Sequence, residues 1–176
     1  MMEHKAFLFD YSSFDRELRQ ILENALNSGK CGGLVSFINT HLEALRDPYE
    51  GEPLDAGWES LIEAPDAHQY GDFALTKYYD PLADIGLGVF WESVQDLIAS
   101  NPTFSVSPIL GSTIGPKHDP FDPGKMGAYF QSFQQAQQHH NSLLLAERTS
   151  PSPQLHEAVE LLAKAVNEKK GLYVTF

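Results

Sequence analysis

Cysteine occurs once in the 176 residues, at Cys31. A single thiol excludes an internal disulfide and cannot alone build a thiolate zinc site. It fits a reducing compartment. Basic residues are scarce: 12 Lys and Arg stand against 24 Asp and Glu, a formal net charge of −12. A chain of that sign repels nucleic acid and anionic membrane, so neither is an expected partner. Long hydrophobic runs are absent. The N-terminal run Ala6 to Phe9 is too short for a signal peptide or a membrane span, which leads to the expectation of a cytoplasmic protein. Nucleotide-loop fingerprints are missing. Gly86-Leu87-Gly88 lacks the dinucleotide spacing, and Gly111 to Lys117 lacks the ending of a P-loop. No cofactor is expected.

What is abundant is acid, and it is concentrated. Between Glu43 and Asp96 lie thirteen carboxylates and two cations, Arg46 and Lys77, so this stretch carries −11 of the −12 charges. It also holds Trp58, Trp91, Tyr49, Tyr70, Tyr78 and Tyr79. Disordered acidic tails stay unfolded because they lack such rings. The acid is therefore expected on a folded, aromatic scaffold, where it attracts a basic partner or cations.

A chain of this length is read as a single domain, 1–176, large enough for a substantial core. Lys5 to Tyr11 reads as a strand, short and aromatic. Phe14, Leu18, Ile21, Leu22, Ala25 and Leu26 recur at helical spacing behind a Ser12 or Ser13 cap. Cys31-Gly32-Gly33 is a joint. Leu34 to Leu45 predicts a second helix, closed by Asp47-Pro48. Asp55 caps a short third helix with Trp58, Leu61 and Ile62 inward. Gly71 to Tyr79 gives a further turn or two, and Phe90 to Ile98 a clear apolar stripe. Thr103 to Val106 alternates weakly, as a strand would. The Pro- and Gly-rich segment 108–125 reads as a long ordered loop anchored by Ile109, Leu110, Ile114 and Phe121. Met126 to His140 reads as a glutamine-rich helix. A linker at 149–153 precedes a last amphipathic helix capped by Gly171, and Leu172 to Phe176 is a final strand. The first and last segments are the best strands. Pairing them in a small sheet gives a helix-rich α+β fold.

Three features in order resemble the YfbM-like family of uncharacterised bacterial proteins. A strand leads straight into a helix, Phe7 to Leu26. A Leu-Asp-x-x-Trp turn, Leu54 to Trp58, opens a short helix. A Phe-Asp-Pro-x-x-Met segment, Phe121 to Met126, precedes late helices that feed a final strand. The resemblance covers about a fifth of the chain residue by residue. It implies an α+β fold and no established activity, and it carries over no functional residues.

Several residues invite chemistry. Cys31 precedes a helix, a position that favours thiolate, although nothing in the spacing places a histidine beside it. His118, Asp119 and Asp122 fall within five residues and could ligate a divalent metal, yet Asp119-Pro120 and Asp122-Pro123 are equally turn formers. His139-His140 point about 100° apart on a helix. Asp80/Asp84 and Glu59/Glu63 would be i,i+4 pairs on helices, better read as a solvated acidic face. The leading expectation is a non-enzymatic protein binding a basic partner protein, as immunity and inhibitor proteins do. The contacts would be Glu50, Glu52, Glu59, Glu63, Asp66, Asp72 and Asp80, with Tyr70 and Tyr79 as anchors. That reading assigns no catalytic residue and no metal, and leaves a homodimer open. The alternatives are a small metal-assisted hydrolase using His118, Asp119 and Asp122, and a small-ligand binder lined by Trp58, Trp91 and Tyr78.

Overall fold

A computed structural model describes all 176 residues. One antiparallel sheet has the order β1-β3-β2, with β1 at Lys5–Phe9, β2 at Ala128–Gln131 and β3 at Gly171–Thr175. The last strand is the central one. Tyr173 faces Phe7 across one ladder and Phe130 across the other. Side chains alternate across a sheet with period two. Phe7, Phe9, Phe130 and Tyr173 accordingly fill one core, and Ala6, Leu172 and Val174 another. A sheet that is apolar on both faces must be covered on both. Helices α1 (Tyr11–Glu17), α2 (Arg19–Ser28), α3 (Gly32–Thr40) and α4 (Ala67–Leu75) cover the first face. Helices α5 (Trp91–Ala99), α6 (Phe133–Thr149) and α7 (Pro153–Glu168) cover the second. The fold is helix-rich α+β, with the first and last strands as neighbours. No helix is long and apolar enough to cross a membrane.

Local chemistry explains where the elements begin. Asp10, not Ser12 or Ser13, caps α1, its Oδ1 accepting the Ser13 N–H at 3.2 Å. The helix pattern breaks briefly at Leu18, but the buried stripe of Phe14, Leu18, Leu22, Ala25 and Leu26 continues through it. Ser152 caps α7, with Pro153 in its first turn.

Five further expectations are corrected. Met126 to His140 is not one helix. Ala128–Gln131 is β2, and α6 starts after Ser132, whose hydroxyl and the Gln135 side chain form a reciprocal capping box. Tyr129 and Phe130 fit a helical stripe as well as a pleat, and only the ladder with β3 decides. Thr103 to Val106 makes turns, with no partner strand beside it. The second helix stops at Thr40, and Leu42–Ala44 is a separate 3-10 turn. Trp58–Leu61 is likewise 3-10, so Leu61 turns outward while Trp58 is buried. Gly171 does not cap α7. Lys169 does, in the left-handed conformation at φ 53°. Gly171 is glycine because a Cβ there would lie 2.1 Å from the Gln131 carbonyl oxygen of β2.

The loop 108–125 is anchored by buried Ile109, Ile114 and Phe121. Ile109 is also where the loop is tied to the sheet. Fully buried His4 donates from Nε2 to the Ile109 carbonyl at 2.7 Å and accepts the Leu87 N–H at Nδ1, 3.1 Å away. Those two partners fix a neutral imidazole, and burial lowers its pKa. The unfolded chain therefore takes up this proton first as pH falls. The stability His4 supplies is present above about pH 6.5 and is lost below it. His4→Asn should cost about 1–3 kcal/mol at pH 8, from broken buried hydrogen bonds. In urea unfolding series the gap between wild type and variant should narrow from pH 7 to pH 5. A gap independent of pH would show that His4 does not titrate in this window.

An acidic cleft over a buried carboxylate

Helix α4 contributes the central group. Asp66 caps it, accepting the Gln69 N–H at 2.9 Å. Its sequence Tyr70-Gly71-Asp72-Phe73-Ala74-Leu75 packs Phe73, Ala74 and Leu75 into the first core. Asp72 goes inward with them and is only 5% exposed. The expectation that Asp72 belongs to an exposed contact set is therefore wrong: α4 packs against α2 and α3, and Phe7 and Tyr173 of the sheet close over its other side.

Asp72 lines a cavity of about 240 Å³ at the edge of the sheet, with Phe7 of β1, Tyr173 of β3, Tyr79 and Tyr49. Burial raises its pKa from the usual carboxylate range to about 7. Neighbouring Asp47 adds to the rise, and Tyr49, facing it as hydrogen-bond donor, opposes it. The same environment pushes the Tyr79 and Tyr173 phenols well up, through burial first and Asp72 second. They remain neutral O–H groups. Tyr79 packs on Phe7 and Tyr173 at ring-centroid distances of 4.9 and 5.1 Å, which corrects its expected role as a surface anchor. Lys5 and Asp84 stand at the rim, and Lys5 makes no ion pair.

The turn 47–51 holds Tyr49 over this chamber. Asp47 is buried and accepts the backbone N–H groups of Tyr49 and Glu50, at 2.8 and 3.2 Å. Tyr49 and Pro123 also line a second, larger cavity of about 470 Å³, a surface groove that adjoins the chamber. Four carboxylates line that groove: Glu63, Asp66, Asp119 and Asp122, against Lys125 and His68. His68 accepts the Asp122 N–H at Nδ1 (3.0 Å), which places its ring proton on Nε2, 3.4 Å from Asp119.

The remaining acids divide. Glu50, Glu52, Glu59, Glu63, Asp66 and Asp80 are exposed. None of the thirteen carboxylates between Glu43 and Asp96 is in an ion pair. Arg46, the nearest cation in sequence, donates to the Gly51 carbonyl instead. Asp80 and Asp84 are not a helical pair. Asp80 accepts from Leu82 N–H in a turn, and Asp84 from Ala6 and Gly86 N–H, securing the edge of β1. Glu92 and Asp96 lie on α5, across the sheet from α4, so the acidic run does not form one face.

Other candidates fall apart in space. His118 is exposed and does not line the groove with Asp119 and Asp122; His68 takes that place. No group of three His, Cys, Asp or Glu side chains converges as a metal site. Cys31 is half-buried, and burial and Asp66 push its thiol pKa up, against the thiolate expected of a helix start. Trp58, Trp91 and Tyr78 line no common pocket. Trp58 donates to Asn39 in the first core, Trp91 to the Met2 carbonyl, and Tyr78 to Glu17. Tyr70 is half-buried, edge-on to Trp58 at 5.9 Å. The glutamine run also splits: Gln131 is buried, donating to the Pro108 carbonyl at 2.8 Å, while Gln134, Gln135, Gln137 and Gln138 are exposed on α6.

The residues that sequence reasoning missed are Tyr49, His68 and Tyr173. A legible clue to the site was a lone carboxylate inside the uncharged run Tyr70 to Thr76. No family model, curated protein or solved structure matches the chain.

Proposed function

We propose that this chain is a non-enzymatic acidic interaction protein that binds a basic partner protein, in the manner of immunity and inhibitor proteins. The observation that carries the reading is the set of exposed carboxylates without an ion pair inside the chain, together with the groove that Glu63, Asp66, Asp119 and Asp122 line. Charge left uncompensated within a fold is available to a partner, where it accelerates encounter and excludes acidic competitors. The 80–82 turn supports the grouping, because Leu82 lies against Gly51 and so packs the turn that carries Asp80 on the turn that carries Glu50. Tyr49, 63% exposed over the groove, is the aromatic anchor in place of Tyr79. A cytoplasmic location and kinship with the bacterial YfbM-like family belong to the same proposal, the latter on the Leu54 to Trp58 turn beside Glu59.

The test uses charge reversal at Glu50, Glu59 and Glu63, leaving Asp66 intact because it caps α4. Immobilised wild type should retain a basic protein from lysate at low salt and release it as salt rises, since screening shortens to about 8 Å at physiological ionic strength. The triple lysine variant should slow association of the purified partner roughly tenfold or more with little change in dissociation. Folding stability should hold or rise, because like charges are removed. Equal retention by wild type and variant would reduce the acid to a solubilising role.

A further inference from the structure

We propose that the chamber formed by Asp72, Phe7, Tyr49, Tyr79 and Tyr173 is a binding site for a small organic ammonium ion. Three features of the chamber meet that chemistry at once. A carboxyl that is almost wholly buried lines it and accepts no backbone N–H, with the Tyr49 hydroxyl facing it. Phe7, Tyr79 and Tyr173 form a contiguous aromatic wall, with centroids 4.9, 5.1 and 6.1 Å apart. A cation held against such a wall is attracted to the ring faces, more strongly where water is excluded. The cavity, at about 240 Å³, lies below the range of about 300–1,000 Å³ typical of drug-sized ligands, so it suits a head of a few heavy atoms.

The charges that face Asp72 are mostly negative and so favour a cationic ligand. Asp47 stands behind it on the 47–51 turn and Asp84 at the rim, against one cation, Lys5. The three phenols stay neutral around it, and those of Tyr79 and Tyr173 can donate to a second, polar atom of the ligand. Tyr49 lines both chamber and groove, so the acidic groove raises the concentration of cations next to the chamber. The same ammonium chemistry is offered by a free amine and by a lysine side chain on a basic partner, and in the second case the site deepens the partner reading.

Calorimetric titration of the full chain with tetramethylammonium and with n-butylammonium tests the site, with neopentyl alcohol as uncharged control. Both cations should bind and the alcohol should not. Binding should tighten roughly tenfold from pH 6 to pH 8 as Asp72 ionises, because apparent affinity follows the ionised fraction. The probes keep their charge throughout. Asp72→Asn should abolish the preference for cation over alcohol, and Lys5→Ala should tighten cation binding. Tyr49→Ala, a change on an exposed turn that leaves the core intact, should weaken it. Equal affinity for cation and alcohol, or binding unchanged in Asp72→Asn, overturns the proposal. The peptide Gly-Lys-Gly distinguishes the sources. Competition with tetramethylammonium that is weakened by the Glu50, Glu59 and Glu63 reversal points to a partner's lysine; binding of the small cations alone points to a free amine. Loss of partner capture with small-cation binding intact refutes the partner reading and leaves the chamber assigned.

Discussion

Asp72→Asn should raise the melting temperature above pH 7 and leave it almost unchanged near pH 4. The carboxyl is buried beside Asp47, and its pKa rises from 3.8 to about 7. A group whose folded pKa is raised contributes its stability fully below the unfolded pKa, here about 3.8. That stability is lost progressively as pH rises through about 7. At pH 8 the folded protein therefore holds a charge that the unfolded chain holds more comfortably. The shift of about three units corresponds to an upper bound of roughly 4 kcal/mol. Asparagine keeps the shape and an oxygen that can accept from Tyr49, and removes the charge. A gain of about 2–4 kcal/mol at pH 8 is expected, or roughly 4–16 °C for a chain of this size. Asp80→Asn, which removes an exposed charge of the same sign, should change stability by less than about 0.5 kcal/mol and controls for net charge. Urea unfolding of the three proteins at pH 4, 6 and 8 checks the prediction. A variant less stable than wild type at pH 8 would mean that the carboxylate is well satisfied in place. A group that destabilises its own fold at neutral pH is the pattern expected of a binding site, where strain is offset only when a ligand arrives.

Deleting Leu172 to Phe176 should abolish cooperative folding. These residues form almost all of β3, which is hydrogen-bonded to both other strands. Leu172, Tyr173 and Val174 are at most 1% exposed and are shared between the two cores. Truncating one large buried side chain costs about 2–5 kcal/mol. Removing three, with the ladder on both sides, exceeds the roughly 5–15 kcal/mol that holds a domain together. The truncated chain should lose near-ultraviolet circular dichroism, bind a hydrophobic dye and show no unfolding transition. Tyr173→Phe, which keeps the ring between Phe7 and Phe130, should fold. A sharp transition in the truncated chain would show that the helices pack without the sheet.

Where order came from neighbours in sequence, the sequence by itself settled it. The strands at Lys5–Phe9 and Gly171–Thr175 were legible as short aromatic or branched runs, and α2, α5 and α7 as apolar stripes at helical spacing, because these patterns are complete within one segment. Net charge and its concentration between Glu43 and Asp96 were equally local facts. The tertiary structure decided what depends on distant partners. Ala128–Gln131 becomes a strand only because β3, forty residues on, offers it a ladder. Tyr129 and Phe130 suit either period, so their segment could not choose alone. Asp72 stands alone in the otherwise uncharged run Tyr70 to Thr76, but that run does not say which way its carboxyl turns. Its burial follows from α4 packing against α2 and α3 while β1 and β3 bring Phe7 and Tyr173 to its other side. Tyr49, Tyr79 and Tyr173 meet there from three separate segments. The sequence counts charges, but the pKa of one carboxyl depends on how much water and which charges surround it, and that is set only when the chain closes on itself.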